Sequence, residues 1–173
     1  MKHCFIFLFL MAFLPTLVKG KEPNSPSASQ VAETFYKALL KHDPRGLPTE
    51  EQMKVFAPLF CRKINDGIAK AREEQQKFMR EHPGDKPPWV EGCLFATLFE
   101  GVTSFTLGEP SVDGDKASIP VYLRYDSGEE HARWIDVITL ERTNKQWHIW
   151  DIFLNGPWEF RGGPSVRDIF PAP

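Results

Sequence analysis

The pattern of hydrophobic and polar positions changes near the middle of the chain. From Val31 to Phe78, hydrophobic residues recur at intervals of three and four, the period of one face of an α-helix. From Val102 onward they alternate with polar residues, the period of a β-strand with one buried face. The pattern therefore predicts helices first and strands afterwards.

Two capping boxes mark where the first two helices begin. Ser27 with Gln30, and Thr49 with Gln52, have the spacing in which each side chain bonds to the backbone of the other residue. The sequence HDPRGLP ends the first helix, because proline and glycine do not continue it. A third, longer helix follows, and its apolar stripe consists of Ile64, Ile68, Ala71 and Phe78.

The second half predicts four strands joined by short turns. The turns fall at VDG (112–114), DSGEEH (126–131) and TNK (143–145), and apolar alternation fills the segments around them. Helices followed by a run of hairpins predict an α+β fold, in which the N-terminal helices pack on a curved four-stranded antiparallel meander.

The last predicted strand is apolar on both faces. Strict alternation puts Trp147, Ile149, Asp151 and Phe153 on one face and His148, Trp150, Ile152 and Leu154 on the other. An antiparallel sheet that shows one face to water normally carries a polar face there. We therefore expect the C-terminal tail or another subunit to cover the second face, which makes a homodimer through the outer sheet face one expected assembly.

The N-terminus has the pattern of a signal peptide over residues 1–20. A basic start at Lys2 precedes a short apolar run, and the small residue Gly20 suits cleavage. Cys4 precedes the apolar run, whereas a lipid-modified cysteine would follow it. Residues 21–28 are a polar linker and 29–173 form a single domain. These features predict a periplasmic or extracellular protein, soluble after cleavage and without a stable membrane anchor; an uncleaved tether is the alternative.

Composition narrows the class of partner. Hydrophobic residues make up 42% of the chain and aromatic residues 13%, which is enough for a packed core. The formal net charge of -2 offers no basic surface for nucleic acid. No metal site or cofactor is expected.

The redox state expected of the cysteines depends on the compartment of the protein. After signal cleavage Cys61 and Cys93 remain, an even pair in an oxidising environment, and we expect them to form a disulfide. Two separate buried thiols are the alternative.

Asp151 and Asp136 are the candidates for acid/base chemistry. If Leu140 shares a face with Ile149, Asp151 lies opposite or diagonal to Asp136 on the same face. Two neighbouring carboxylates among aromatic residues would repel each other, which raises the pKa of at least one. The structural alternative is that each accepts hydrogen bonds from the backbone or from nearby side chains.

Several segments together resemble a known superfamily. The meander closes on Lys145, Trp147, Ile149, Asp151 and Ile152 in the pattern G-x-W-x-I-x-D-I, with Lys145 in place of the glycine. The segments VAETFYKALL, FAPLFCRKI, LFEGVTSFTLGEPSVDGDKASIPV and VRDIF extend the likeness over about residues 29–170. The chain resembles the nuclear-transport-factor-two-like (cystatin-like cone) superfamily. More narrowly, it is similar to a family of small bacterial exported proteins of unknown function, many of them lipoproteins, but it lacks their lipobox cysteine.

The resemblance implies a sheet that wraps the helices into a cone with an internal cavity. The superfamily includes isomerase-like and cyclase-like enzymes that use a cavity Asp or His, and also modules that only bind or dimerise. Fold alone therefore does not decide function. The ligand pocket expected here is lined by Phe35, Tyr36, Trp134, Asp136, Trp147 and Asp151.

Three functional hypotheses follow. The preferred one is an exported binding or interaction module, whose apolar cavity takes a small amphipathic ligand or which binds a protein of the cell envelope. The second is a cofactor-free enzyme that moves protons with Asp151 and Asp136. The third is an immunity- or inhibitor-type protein that acts through the proline-rich loop EHPGDKPPW (81–89).

Overall fold

The computed structural model describes residues 25–158 and 163–170, so the predicted signal peptide lies outside the described residues. Three helices come first: α1 (Ala28–His42), α2 (Glu50–Phe56), which a 3-10 turn (Ala57–Leu59) extends, and α3 (Arg62–Glu81). Five strands and a short helix follow: β1 (Ser104–Leu107), β2 (Ser111–Asp113), β3 (Lys116–Ser127), β4 (Glu130–Thr143), β5 (Gln146–Phe153) and α4 (Val166–Ile169). The α+β prediction is confirmed.

Both capping boxes form where the sequence placed them. The backbone N–H of Gln30 donates to the Ser27 hydroxyl at 3.2 Å, and the N–H of Ser27 donates to the Gln30 side chain at 2.7 Å. Thr49 and Gln52 make the same reciprocal pair at 3.3 Å and 2.8 Å. Local chemistry therefore fixes where α1 and α2 begin.

The sheet is antiparallel, in the order β1-β3-β4-β5, with β2 also paired to β3. Four strands were predicted, and the fifth arises because the first predicted strand is interrupted at residues 108–110. Its two parts, β1 and β2, both pair with β3, but Leu107 faces Val121 whereas Ser111 faces Ser118, a shift of one residue in register. Pro110 has no N–H to donate to the ladder, which favours a break there.

The last hairpin turns at Asn144 and Lys145, between the paired residues Thr143 and Gln146. Both turn residues have positive φ, 52° and 67°. A two-residue turn with left-handed backbone at both positions matches the twist of the flanking strands. Lys145 thus occupies a conformation that glycine adopts more easily.

The core lies between the helices and one face of the sheet. Ile119, Val121, Ile138 and Leu140 of β3 and β4 are at most 1% exposed. Above them Phe35 packs against the rings of Tyr36, Phe56, Phe60 and Phe95 at centroid distances of 5.0 to 6.0 Å. Aromatic side chains therefore fill the space around Phe35.

Within the described ranges, no helix combines the length and the hydrophobicity needed to cross a membrane.

Candidate functional site

The pairing of β5 with β4 decides where the two carboxylates point. Leu140 pairs with Ile149, as predicted. A β-bulge then makes Trp150 an extra residue, so that Asp151 pairs with Thr139 and Ile152 pairs with Ile138. Thr139 lies three residues from Asp136 on the same strand, and side chains an odd number of residues apart point to opposite faces. The prediction that Asp136 and Asp151 share a face is wrong.

Asp136 is fully buried on the inner face and accepts four hydrogen bonds. Its Oδ1 accepts from the Thr97 hydroxyl at 2.5 Å and from the backbone N–H of Asn155 at 2.9 Å. Its Oδ2 accepts from the Thr97 N–H and from the Trp134 indole N–H, both at 3.1 Å. These bonds use the acceptor sites of the carboxylate and tie two loops to β4. Asp136 therefore has a structural role.

Asp151 forms a hydrogen bond that links the C-terminal segment to the edge of β5 that faces away from β4. It is 6% exposed, and its Oδ1 accepts from the N–H of Ile152 at 2.8 Å and from the N–H of Arg167 at 3.1 Å. Close by, the N–H of Leu154 donates to the Pro164 carbonyl at 2.9 Å. Asp151 thus joins the bulge to the residues that begin α4.

The six residues expected to line a pocket are not brought together around one void. Phe35, Tyr36 and Asp136 are fully buried among packed side chains. Trp134 donates its indole N–H to Asp136 at 3.1 Å, but its ring meets Trp158 edge-on at 5.2 Å. The other two lie elsewhere: Trp147 is 5.1 Å beneath the Arg142 guanidinium, and Asp151 contacts the C-terminal segment. The paired-carboxylate site therefore loses its geometric basis.

Tyr36, which is fully buried, and Cys93, which is half-buried, are titratable groups on the helix side of the sheet. Burial, reinforced by the charge of Asp136, raises the pKa of the Tyr36 hydroxyl well above its ordinary value. Among the residues that the structure describes, this hydroxyl has no hydrogen-bond partner. Burial likewise raises the pKa of the Cys93 thiol from 9.0 to about 11. Both groups are therefore neutral at physiological pH, and Cys93 is poorly suited to act as a nucleophile.

The disulfide predicted between Cys61 and Cys93 is not formed in the structure, and both cysteines are free among the residues it describes. The sulfur of Cys61 lies 3.6 Å from the Trp150 carbonyl, beside β5. Cys93 lies beside Gly101 and is joined through its N–H to the Phe99 carbonyl. The two residues thus have different neighbours, a separation that spacing along the chain does not reveal.

The outer face of the sheet, which the helices leave uncovered, carries an exposed apolar patch. Its four large hydrophobic side chains are 40 to 50% exposed: Tyr122, Ile135, Trp150 and Phe153. Tyr122 pairs with Ile135 in one row across the strands. In the next row the half-buried Val137 pairs with the half-buried Pro120 on one side and with Phe153 on the other. We call these six residues the outer patch.

A groove of about 360 Å³ adjoins the outer patch between β2 and β5. Hydroxyl groups of Ser111, Ser118 and Thr139 line its floor, and the rings of Trp150 and Phe153 form one side. The outer surface thus combines aromatic side chains with small polar groups.

Charged residues border the outer patch at both ends of the strands. At one end Arg124 on β3 and Arg133 on β4 are directly opposite each other in the strand register. Arg124 forms an ion pair with Asp126. That hydrogen-bonded guanidinium holds the pKa of Asp126 below its ordinary value. At the other end Lys116 is the strand neighbour of Asp113 on β2 and of Glu141 on β4, without an ion pair to either.

Sequence reasoning missed this surface because it treated β5 as regular. Alternation without a bulge assigns Phe153 to the inner face with Ile149, whereas the structure exposes Phe153 beside Val137. A usable signal was present in β3 and β4. Pro120, Tyr122, Ile135 and Val137 occupy the positions that alternation assigns to solvent.

The proline-rich loop has an exposed tip and a fixed base. Residues 82–86 are exposed. The side-chain amide of Gln75 donates to the Pro88 carbonyl at 2.5 Å, and the Trp89 indole donates to the Ile169 carbonyl at 3.3 Å. The loop is therefore anchored to α3 and α4.

In the part of the chain that the structure describes, no three His, Cys, Asp or Glu side chains come together as a metal site.

Comparison with known proteins gives little. No protein-family model and no curated protein matches the chain. A chain in the crystal structure of the type VI native effector-immunity complex Tae3-Tai3 from Ralstonia pickettii is similar, with 22% sequence identity and a TM-score of 0.37. The likeness covers 80% of this chain and 100% of that chain. At this TM-score it carries no argument about the function of the present protein.

Proposed function

We propose that this protein is an exported binding module that acts by protein–protein contact, with the outer patch as its contact surface. The observation that supports it most is that four large hydrophobic side chains, Tyr122, Ile135, Trp150 and Phe153, are 40 to 50% exposed on one side of the sheet. Contiguous exposed apolar surface rimmed by polar residues marks interaction sites. Aromatic residues are also enriched at protein interfaces.

A protein partner suits this surface better than a small ligand does. Small-molecule sites are concave and enclose most of their ligand. The outer patch lies on the open face of a sheet, and the interior near Phe35 is filled by packed rings. The resemblance to the nuclear-transport-factor-two-like superfamily is part of the same proposal, because that superfamily includes modules that only bind or dimerise.

The enzyme alternative has less support. All four hydrogen bonds to Asp136 come from groups of the protein itself, and Asp151 accepts two backbone N–H groups. A general base needs a lone pair within reach of the substrate proton. Two carboxylates on opposite faces of the sheet also do not form an acid/base pair.

Cross-linking in the envelope of the producing cell tests the proposal. We expect the wild-type protein to form cross-linked species that the double variant Ile135→Ser/Phe153→Ser loses. Met79→Ser is the matched control, because Met79 is also exposed, at 54%, but lies on α3. Circular dichroism checks that each variant is folded. Cross-linked species that persist unchanged in the double variant would show that the outer patch is not the contact surface.

A second candidate function, that of an immunity- or inhibitor-type protein, is favoured by the loop at residues 81–89. A loop with an exposed tip and an anchored base is ordered before it binds, which lowers the entropic cost of binding. Gln75 and Trp89 provide that anchoring. Replacing residues 82–86 by a Gly/Ser segment of equal length should abolish binding of a partner that uses the loop. A partner that binds both forms equally would rule this candidate out.

A further inference from the structure

Charges on the outer face are arranged about a single row of residues. Arg133 and Glu141 lie four residues on either side of Val137 on β4, and Arg124 and Lys116 lie four residues on either side of Pro120 on β3. Val137 pairs with Pro120, so both strands share the same central row. Residues an even number apart on a strand share a face, so these side chains all belong to the outer face.

The two ends of this face carry opposite net charge. At one end two arginines, Arg124 and Arg133, stand against one carboxylate, Asp126. At the other end two carboxylates, Asp113 and Glu141, stand against one lysine, Lys116. Arg133, Asp113 and Glu141 form no ion pair with any residue that the structure describes.

A surface with an apolar centre and opposite charges at its two ends is complementary to itself. Rotation by 180° about an axis along the row of Pro120, Val137 and Phe153 reverses the strand direction and places β4 over β4 of a second copy. Arg133 then faces Glu141 of the second copy, and Val137 meets its own equivalent. Such an interface is isologous, so the favourable Arg133–Glu141 contact forms twice.

We infer that the protein chain docked on the outer patch is a second copy of this protein, related by this two-fold axis. The inference rests on the proposed function of the outer patch. Two sheets that pack face to face are rotated by about 30° relative to each other. Arg133 and Glu141 lie about 14 Å from the axis, so this rotation displaces each of them sideways by about 7 Å. An arginine side chain spans that distance. Arg124 faces Lys116 of the second copy, and Asp113 of that copy lies beside it.

The size of the surface sets the expected strength. Along the strands, eight residues of β4 span about 27 Å. Across the strands, the width of four neighbouring strands is about 20 Å. Each copy therefore buries about 500 Å², and the dimer about 1,000 Å², the lower end for a specific interface. We expect a weak dimer, in which the apolar centre drives association and the charges at the ends fix its orientation.

The proline-rich loop stays accessible in this dimer. Its base contacts Gln75 on α3 and Ile169 on α4, which do not belong to the outer patch. The dimer therefore leaves two copies of residues 82–86 free for a further partner.

Sedimentation equilibrium of the purified protein, over about 1 to 200 µM, tests the inference in the range expected of a weak interface. We expect the wild type to dimerise with rising concentration and Val137→Arg to remain monomeric. Arg133→Glu and Glu141→Arg should each weaken the dimer about tenfold, because each places like charges in contact twice. The double variant Arg133→Glu/Glu141→Arg should return to within about threefold of the wild type, because the exchanged charges again oppose each other. Arg80→Glu, an exposed charge reversal on α3, should leave association unchanged.

Two results would overturn the inference: a monomer at every concentration, or a double variant that dimerises no better than the single variants. The envelope cross-linking experiment separates this failure from a failure of the proposed function. A monomeric protein whose cross-linked species still depend on Ile135 and Phe153 would have a different partner on the outer patch. A monomeric protein whose cross-links ignore both residues would contradict both proposals.

Discussion

The inner and outer faces of β3 and β4 carry similar hydrophobic side chains, but those of the inner face are buried and those of the outer face are partly exposed. Ile138 is fully buried under the helices, whereas Ile135, three residues away on the same strand, is 45% exposed. Hydrophobic residues at both sets of positions make the two faces hard to tell apart by composition. The inner face stabilises the fold, and the outer face leaves apolar surface in contact with water, where a second chain can remove it.

The largest expected contrast is between alanine substitutions on the two faces. Ile138→Ala should lower the free energy of unfolding by about 2–5 kcal/mol, because it leaves a cavity in the core. Ile135→Ala should change it by less than about 0.5 kcal/mol, since exposed sites tolerate truncation. Urea unfolding at a protein concentration below dimerisation measures both. Equal losses would mean that the two faces are packed alike.

The two buried carboxylates provide the second contrast. Asp136→Asn should lower the free energy of unfolding by about 2–3 kcal/mol, because one oxygen becomes an NH2 group that faces donors instead of acceptors. Asp151→Asn should lower it by about 1 kcal/mol, because a single oxygen accepts both of its hydrogen bonds and asparagine keeps that oxygen. Denaturant midpoints decide the order. A larger loss for Asp151→Asn would reverse the structural assignment.

The pH dependence of stability in alkaline solution tests the burial of Cys93 and Tyr36 on the inner side of the sheet. The thiol of Cys93 has a pKa of about 11 in the folded protein against an ordinary value of 9.0. Between these values the unfolded chain has lost this proton and the folded chain still binds it, so stability is complete below pH 9 and falls as the pH rises. The free energy of unfolding should decrease by at most about 1 kcal/mol per pH unit from this group, and the raised pKa of Tyr36 acts in the same direction. Unfolding curves from pH 8 to about 10.5 measure the slope. If the Cys93→Ala variant loses stability with pH as steeply as the wild type does, the thiol is not the cause of the slope.

The smallest expected contrast lies within the outer patch. The guanidinium of Arg167 lies 4.4 Å above the Trp150 ring, so Arg167→Gln should lower the free energy of unfolding by about 0.5–1 kcal/mol. Phe153→Ser should change it by about 0.5 kcal/mol or less, because this ring is 42% exposed and no cation of the described residues lies over it. Thermal melts at low protein concentration compare the two variants. A larger loss for Phe153→Ser would indicate that its ring packs within the monomer.

Features that depend on neighbouring residues could be predicted from the sequence. The capping boxes at Ser27 and Thr49 formed because both partners lie three residues apart. The hairpins and the pairing of Leu140 with Ile149 followed from short turns and two-residue alternation. Such signals are local, so they act before distant parts of the chain meet.

The tertiary structure decided the placement of the candidate site. The single extra residue Trp150 moved Asp151 opposite Thr139 and away from the face of Asp136, because strand side chains have a period of two. The shifted Asp151 accepts a hydrogen bond from the backbone of Arg167, sixteen residues further along the chain. The alternation of a single strand encodes neither the bulge nor the contact of Asp151 with this distant segment. The sequence by itself therefore determined that helices come first and hairpins follow, because those signals are local. Only the tertiary structure placed a bulge in β5, and with it the face that Asp151 occupies, because the pairing of β5 with β4 involves residues that are not neighbours in the chain.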